Sequence, residues 1–254
     1  MIRFHFAVDY TYKSKKLKNI LLKKYKNYPA KFSNVIIVLG GDGFMLQTLK
    51  RYCKFNKPFY GINCGTFGFL MNKFKTYDLQ KIMSKAKLVS ISPLQMKVIT
   101  KSGKIFSNIA INEVSLLRQT RQAASLQIVK NKRILIKKLI CDGVLVSTPA
   151  GSTAYNLSVN GPILSLYSKK LAITPISPFR PRRWKGRVIP SSSLIKIKNL
   201  NFQKRSVSVV ADNMEVSNIK NVKIRINNLI KFKLLYDKNY SLIKKIKLEQ
   251  IRSK

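Results

Sequence analysis

An aspartate lies between glycines in residues 35–46, VIIVLGGDGFML. The continuous apolar run before it is typical of a buried parallel strand, and the apolar spacing after it indicates a helix. Glycines after a strand let a phosphate approach the backbone, and the N-terminus of the following helix favours anions. Asp42 adds an acceptor for a hydroxyl proton. On these residues alone, a catalytic base and a helix-capping aspartate are equally good interpretations.

Acidic residues are scarce in this chain, so their positions carry information. The 254 residues include 50 Lys and Arg against nine Asp and Glu, a formal net charge of +41. The basic residues are spread along the whole length, which favours compositional drift with solvated lysines over a polyanion-binding role, the alternative. Five acids lie in segments that are unusual on other grounds, which favours functional roles over chance clustering: Asp42, Glu113, Asp142, Asp212 and Glu215.

Three further segments have residues suited to ligand binding. GINCGTFGFL, residues 61–70, is a second glycine-rich turn after an apolar run. In NEVSLLR, the carboxylate of Glu113 beside the amide of Asn112 can hold a ribose diol, because both vicinal hydroxyls are donors. CDGVLVSTPAGSTAYNLSVNGPIL, residues 141–164, gathers hydroxyls and amides around Tyr155 and suits a polar, planar ligand. The alternatives are a structural turn, an exposed strand position and a Ser/Thr-rich loop.

The elements around these segments change character near residue 88. Before it, strand and helix patterns alternate, with Thr76 as a candidate N-cap of the third helix; after it, short alternating runs are joined by turns at Ser102–Gly103 and Asn131–Lys132. We therefore predict α/β plus β: an N-terminal Rossmann-like α/β domain, residues 1–88, and a C-terminal antiparallel β-rich, sandwich-like domain, residues 89–239. A helix at 240–254 is expected to pack back on the first domain.

Composition also excludes several classes of protein. His5 is the single histidine, which disfavours a Ser-His-Asp hydrolase or a histidine-rich metal site. Cys53, Cys64 and Cys141 have no CxxC spacing, which fits a reducing cytosol rather than a disulfide scaffold. No apolar run approaches the roughly 18 residues of a membrane span, and the N-terminus has no signal-peptide pattern. The sequence predicts a cytoplasmic protein without a membrane partner.

Taken together, the four segments resemble the NAD kinase family. The chain has GGDG at 40–43, NCGTFGFL at 63–70, NE at 112–113 and STPAGSTAY at 147–155, in the order of the family pattern. The downstream LAITPISPFRPRRW and ADNME also resemble family segments, so the similarity covers roughly residues 35–216. It implies transfer of a phosphoryl group from ATP to the 2′-hydroxyl on the adenosine side of NAD, at an active site between an α/β and a β-rich domain.

The resemblance also implies roles for individual residues. Asp42 would be the proton acceptor, Gly43 would let NAD approach, and Asp142 would bind its nicotinamide end. Mg²⁺ or another divalent metal would be carried by the nucleotide, because no acidic pair at fixed spacing identifies metal ligands. A homodimer or homotetramer, with sites completed across subunits, is implied as well. The remaining NAD contacts would be Asn112, Glu113, Ala150, Thr153, Ala154, Tyr155, Asn156, Leu157 and Ser158.

Some positions depart from the family pattern. Ala150 stands where the family often has a hydroxyl residue, so one side-chain contact would be lost while backbone contacts could remain. Asp212-Asn213 replaces an Asp-Gly pair, and Asn213 is expected to tolerate the positive φ of that turn. The alternatives to NAD phosphorylation are a lipid or sugar kinase that shares GGDG, and a nucleic-acid-binding protein. Residues 147–155 disfavour the first, and the lack of aromatic-interleaved basic motifs disfavours the second.

Overall fold

The computed structural model describes residues 1–74, 78–238 and Lys245. Its contacts divide the chain into two compact units, one of Met1–Ile91 with the chain from Ile230 onward, and one of Ser92–Leu229. The helices of the described part are α1 (Tyr12–Leu22), α2 (Asp42–Tyr52), α3 (Leu79–Lys85) and α4 (Tyr155–Ser158). Its strands are β1 (Phe4–Val8), β2 (Val35–Gly40), β3 (Pro58–Asn63), β4 (Lys87–Ile91), β5 (Leu94–Thr100), β6 (Ile105–Ala110), β7 (Glu113–Arg118), β8 (Ala124–Lys130), β9 (Arg133–Cys141), β10 (Gly143–Ser147), β11 (Lys170–Ile176), β12 (Arg187–Pro190), β13 (Ile195–Asn199), β14 (Val207–Ala211), β15 (Met214–Val216), β16 (Ile219–Ile226) and β17 (Phe232–Tyr236).

The first unit is built on a five-stranded sheet in the order β1-β2-β3-β17-β4. Strands β1, β2 and β3 are parallel neighbours, as expected when helices connect successive strands. All six residues of β2 are buried, which explains its uninterrupted apolar sequence. The glycine-rich turns after β2 and β3 therefore leave the sheet at the same edge, and Cys64 N–H donates to Gly40 O over 2.9 Å.

Strand β17 joins the first unit, although the sequence analysis included its residues in the second domain. It is parallel to β3 and antiparallel to β4, with Leu234 opposite both Phe59 and Val89. Phe232, Leu234 and Tyr236 are buried. The alternation of FKLLY predicts a half-buried strand but not its partner, because Leu234 pairs with Phe59, 175 positions earlier in the chain.

The second unit consists of two six-stranded antiparallel sheets, β12-β11-β10-β7-β14-β15 and β6-β5-β16-β13-β8-β9. One cluster of buried side chains takes members from both sheets, for example Leu116 and Val144 from the first and Met96 and Ile197 from the second. Each fully buried aliphatic side chain of such a core contributes about 1.5–3 kcal/mol. The period-2 patterns of the sequence are explained by this shared core.

The structure confirms a mixed α/β chain with antiparallel β-sheets, while the Rossmann-like description stays a prediction. The turns expected at Ser102–Gly103 and Asn131–Lys132 are present: Gly103 has φ 83°, and Asn131 and Lys132 have φ 46° and 72°. Asp78 caps α3, accepting from Lys81 N over 3.2 Å.

Two predictions concern residues outside the described part. The proposed cap Thr76 lies there, as does the terminal helix at 240–254 except for Lys245. Among the helices of the described chain, none combines the length and apolar character needed to cross a bilayer.

Candidate active site

Asp42 is the first residue of α2, and its carboxylate is held by the second glycine-rich turn. Oδ2 accepts from Phe69 N over 2.7 Å, and Oδ1 accepts from Leu70 N over 3.0 Å. Gly68 is required beside it, because a Cβ there would lie 2.9 Å from Asp42 Oδ1. The N-cap of α2 is Gly41 rather than Asp42. The carboxylate thus bonds across 27 residues of chain instead of capping its own helix.

Lys245 holds the same turn from its carbonyl side. Its Nζ donates to Gly68 O over 2.7 Å, to Phe69 O over 3.2 Å and also to Met71 O. Burial lowers the pKa of Lys245 to about 8, opposed by the charges of Asp42 and Asp237. Amides of the turn therefore bind Asp42 while its carbonyls bind an ammonium group.

Burial raises the pKa of Asp42 above its usual range, although the amides of Phe69 and Leu70 and the charge of Lys245 act in the opposite direction. A carboxylate of raised pKa is a stronger base than an exposed one, and each oxygen keeps a second lone pair for a hydroxyl proton. Beside it, the Cβ position of Gly43 has no atom within 4 Å. Residues 42–43 therefore combine a positioned base with open space.

In the second unit, the pair Asn112–Glu113 stands at the start of β7. Asn112 Oδ1 and Glu113 Oε2 are buried and find no hydrogen-bond partner in the described part of the chain. Thr148 fixes the backbone beside them, its N–H donating to Asn112 O over 2.9 Å and its hydroxyl to Ile111 O over 2.7 Å. Buried acceptors without partners are rare in native proteins and call for a donor from elsewhere. Two neighbouring hydroxyls of a ribose would supply such donors.

Glu113 is electrostatically unusual. Burial and then the charge of Asp212 raise its pKa to about 8. Burial also raises the pKa of Tyr155, with further contributions from Glu113 and Asp142. Tyr155, at the start of α4, therefore lies within electrostatic reach of both carboxyl groups.

Side chains of the loop from residue 147 to 162 differ in their exposure and in whether their hydrogen-bonding groups are already engaged. Asn156 is fully buried, and its amide is already occupied: Nδ2 donates to Ser152 O and Pro162 O, and Oδ1 accepts from Thr174. Its contact with NAD stays a prediction, while its observed role is to hold the loop. Ala150 and Thr153 are also buried, Ala154, Tyr155 and Leu157 are partly exposed, and Ser158 is exposed.

Asp142 lies at the other end of β10 from the Asn112–Glu113 pair. Its Oδ1 is 2.5 Å from Arg118 Nε, and its carbonyl accepts from Arg118 N over 2.9 Å. The β7–β10 register places Glu113 opposite Ser147 and Leu117 opposite Gly143. At about 3.3 Å per residue, five residues separate Glu113 from Arg118 by roughly 16 Å. The backbone positions that carry the two carboxyl groups are therefore separated by about the length of β7.

No group of three or more His, Cys, Asp or Glu side chains that could hold a metal ion occurs among the described residues. Asp42 and Asp212 each accept from two backbone amides and Asp142 pairs with Arg118, while Glu113 Oε2 has no partner among the described residues. These acids do not form the oxygen cage that a protein-bound Mg²⁺ needs.

Several functional partners were missed from the sequence. Thr148 was noted only as one polar residue of its loop, and Lys245 and Arg118 were not singled out, because their partners lie far away in the chain. Asp212 was singled out as a scarce acid but given no role. The left-handed residue of its turn is Asp212 itself, with φ 53°, and not Asn213 as predicted. Asp tolerates this conformation through its short polar side chain.

Comparisons with known proteins show which family the chain is similar to. A family model described as the ATP-NAD kinase C-terminal domain matches residues 111–231. The NAD kinase of Zymomonas mobilis is 48% identical over 244 residues, covering 95% of both chains. The NAD kinase of Brucella suis is 42% identical over 251 residues, covering 99% of this chain and 98% of its own.

Solved structures share the fold. A yeast NADH kinase complexed with NADH has a TM-score of 0.81 at 19% identity, covering 97% of this chain and 86% of its own. An NAD kinase from Archaeoglobus fulgidus in complex with ATP has a TM-score of 0.76 at 23% identity, covering 100% of both chains. At these identities the structural likeness establishes the fold, and the curated relatives establish the family.

Proposed function

The chain belongs to the NAD kinase family, and we propose that it transfers the terminal phosphoryl group of ATP to the 2′-hydroxyl of the adenosine ribose of NAD. The observation that carries this proposal is the pair of buried acceptors without partners, Asn112 Oδ1 and Glu113 Oε2. Leaving two such atoms unpaired costs about 1–3 kcal/mol each, so their retention favours a ligand that brings hydroxyl donors. The diol of a ribose has the matching chemistry.

Asp42 is the proposed proton acceptor. Phosphoryl transfer passes through a loose transition state, so its catalysis depends chiefly on positioning and charge stabilisation. Two amides fix the Asp42 carboxylate, and burial raises its pKa so that it is a better base. The N-terminal amides of α2 lie in the same turn and favour the negative charge of a phosphate. A general base of this kind contributes about 10²–10⁴-fold.

Mg²⁺ or another divalent metal is proposed to arrive with ATP, bound by phosphate oxygens and water. Its chemistry there is to neutralise the charge of the phosphates. The residues proposed to contact NAD are those of the family pattern: Gly43, Asn112, Glu113, Asp142, Ala150, Thr153, Ala154, Tyr155, Asn156, Leu157 and Ser158. Asp142 and Glu113 would contact different parts of the dinucleotide, in keeping with their spacing along β7 and β10.

A homo-oligomer and a cytoplasmic location belong to the proposal as well. Strand β6 is at the edge of its sheet, and its Ile105 and Phe106 are exposed, a pattern that favours contact with another chain. Cys53, Cys64 and Cys141 are all free thiols, which supports a reducing compartment. The molar mass in solution, measured by light scattering, tests the first point: a monomer at micromolar concentration would contradict it.

The activity is tested by mixing the purified protein with ATP, Mg²⁺ and NAD and following NADP with an NADP-specific dehydrogenase. NAD, diacylglycerol and fructose 6-phosphate are supplied in parallel as phosphoryl acceptors. We expect turnover with NAD alone. Phosphorylation of the lipid or the sugar in preference to NAD would overturn the assignment, and so would tight, salt-sensitive RNA binding without NADP formation.

The role of Asp42 needs a matched control, because Asp42→Asn also replaces one acceptor of the Phe69 and Leu70 amides by a donor. Lys245→Met disturbs the same turn from its carbonyl side and leaves the carboxylate in place. We expect Asp42→Asn to lose about 10²–10⁴-fold in kcat and Lys245→Met to lose much less. Equal losses in the two variants would assign Asp42 a structural role only.

A further inference from the structure

Asp212, which is not among the proposed NAD contacts, is hydrogen-bonded to the backbone of Ile111, Asn112 and Glu113. Asp212 lies in the turn between β14 and β15. Its Oδ2 accepts from Ile111 N over 2.8 Å and its Oδ1 from Asn112 N over 2.9 Å. Its own backbone N–H donates to Glu113 O over 3.2 Å. A single turn residue thus bonds the backbone of three successive residues about 100 positions earlier in the chain.

The opposite side of the same backbone is equally constrained. Thr148 donates to the carbonyls of Ile111 and Asn112, so the backbone N–H and C=O groups of both residues are bonded. Gly151 packs directly against them, since a Cβ at that position would lie 2.2 Å from Asn112 O. The backbone of residues 111–112 is therefore held between Asp212 on the amide side and Thr148 with Gly151 on the carbonyl side.

Backbone and side chains of this segment differ in their hydrogen bonding. The backbone groups of Ile111 and Asn112 are bonded, while the side-chain acceptors Asn112 Oδ1 and Glu113 Oε2 are buried and unpaired in the described chain. Structural hydrogen bonding normally satisfies side chains as well as backbone. A rigid backbone that presents two unpaired acceptors is the expected form of a preorganised binding site, in which ordering costs are met before the ligand arrives.

A carboxylate is needed at position 212 because both of its oxygens accept from amides. An asparagine has one acceptor oxygen, and its NH₂ group would face one of the two N–H donors. Hydrogen bonds to a charged group are also stronger than neutral ones. Asp212→Asn therefore removes one of the two amide hydrogen bonds while keeping a side chain of nearly the same size.

We propose that Asp212 is a positioning residue for NAD: by clamping the amides of Ile111 and Asn112 it aims the acceptors of Asn112 and Glu113 at a ribose of the bound dinucleotide. This inference rests on the proposed function, because it takes NAD as the ligand of that pair. It predicts that Asp212 acts on NAD binding rather than on ATP binding or on the chemical step.

The test compares Asp212→Asn with the matched control Glu215→Gln. Glu215 is exposed and three residues further along, so its substitution changes the local charge equally without touching the clamp. The dissociation constant of NAD is measured by titration calorimetry, with KM for each substrate, kcat and the midpoint of thermal unfolding. We expect Asp212→Asn to raise the NAD dissociation constant and KM by about tenfold or more, with KM for ATP within about twofold of wild type. Glu215→Gln should match wild type in every measurement.

Two results would overturn the inference. One is wild-type NAD affinity in a folded Asp212→Asn protein; the other is a joint rise of both KM values together with a fall in the unfolding midpoint, which marks a structural role. If Asp212→Asn does not fold, Thr148→Val replaces it. It frees the same backbone from its carbonyl side, by removing the hydroxyl that donates to Ile111 O and accepts from Gly151 N, and the same selective rise in KM for NAD is required. NADP formation by the wild-type protein is measured first, so that failure of the proposed function is distinguished from failure of this inference.

Discussion

Gly43→Ala should make the protein more stable and at the same time less active. Gly43 is the second residue of α2, its φ is not positive, and an added Cβ meets no atom within 4 Å. Glycine in a helix costs about 0.5–1 kcal/mol relative to alanine. At about 2–4 °C per kcal/mol for a chain of this size, the midpoint of thermal unfolding should rise by about 1–4 °C.

The loss of activity follows from the same open space. Gly43 adjoins the Asp42 carboxylate, and the proposal places NAD against it. A methyl group there displaces the dinucleotide from its reacting position, and a displacement of about 1 Å costs about 10²-fold in rate. We therefore expect kcat/KM for NAD to fall by about one to two orders of magnitude, measured with the coupled NADP assay.

Gly103→Ala serves as the matched control with the opposite signature. Gly103 has φ 83° in the β5–β6 turn, where alanine is strained by about 1–2 kcal/mol, and it has no role in the proposed site. It should lower the unfolding midpoint and leave kcat/KM unchanged. Wild-type kcat/KM in Gly43→Ala would refute the placement of NAD, and a lowered midpoint would refute the local geometry of α2.

Three further predictions concern Glu113, Gly151 and Lys245. Glu113→Gln should remove a pH dependence of stability. Burial raises the pKa of Glu113 in the folded protein from 4.5 to about 8, so the wild-type protein loses stability as pH rises from 4.5 to about 8. Urea unfolding at about pH 5 and about pH 8.5 measures this loss in both proteins. Gly151→Ala should cost about 1–3 kcal/mol in urea unfolding and raise KM for NAD, because its Cβ would lie 2.2 Å from Asn112 O. Lys245→Met should move the acidic limb of the kcat–pH profile to higher pH, because the charge of Lys245 lowers the pKa of Asp42.

Each of these has a result that would contradict it. Parallel pH–stability curves for Glu113→Gln and wild type would show that the carboxyl ionises normally. Unchanged stability in Gly151→Ala would mean that the loop can retreat from β7 at no cost. A limb that stays in place in Lys245→Met would mean that the kcat profile does not report the ionisation of Asp42.

The local parts of this fold were predictable because their signals are local. The apolar run of β2, the helical spacing of α2 and the positive-φ turn at Asn131 each depend on a few neighbouring residues. The residues of β17 were placed in the second domain, because the FKLLY pattern fits a strand of either unit. Only the pairing of Leu234 with Phe59 and Val89 decides between them.

The residues of the proposed site were likewise predictable only where the signal is local in the sequence. Glycines around Asp42, the Asn112–Glu113 pair and the Tyr155 loop were identified from residue types and their order. The partners that hold them were not, because they bind backbone atoms, which every residue has. Asp212 was noticed as a scarce acid, but nothing in its sequence context indicates that its oxygens meet two amides about 100 residues earlier.

The central claim is that Asp42 accepts the proton of the 2′-hydroxyl of the adenosine ribose. The most direct measurement is an experimental structure of the protein with NAD and a non-hydrolysable ATP analogue, in which the distance from a carboxylate oxygen of Asp42 to the ribose 2′-oxygen is read. We predict about 2.6–3.2 Å. A 2′-oxygen bonded to a different basic group, with Asp42 still bonded only to Phe69 and Leu70, would contradict the claim.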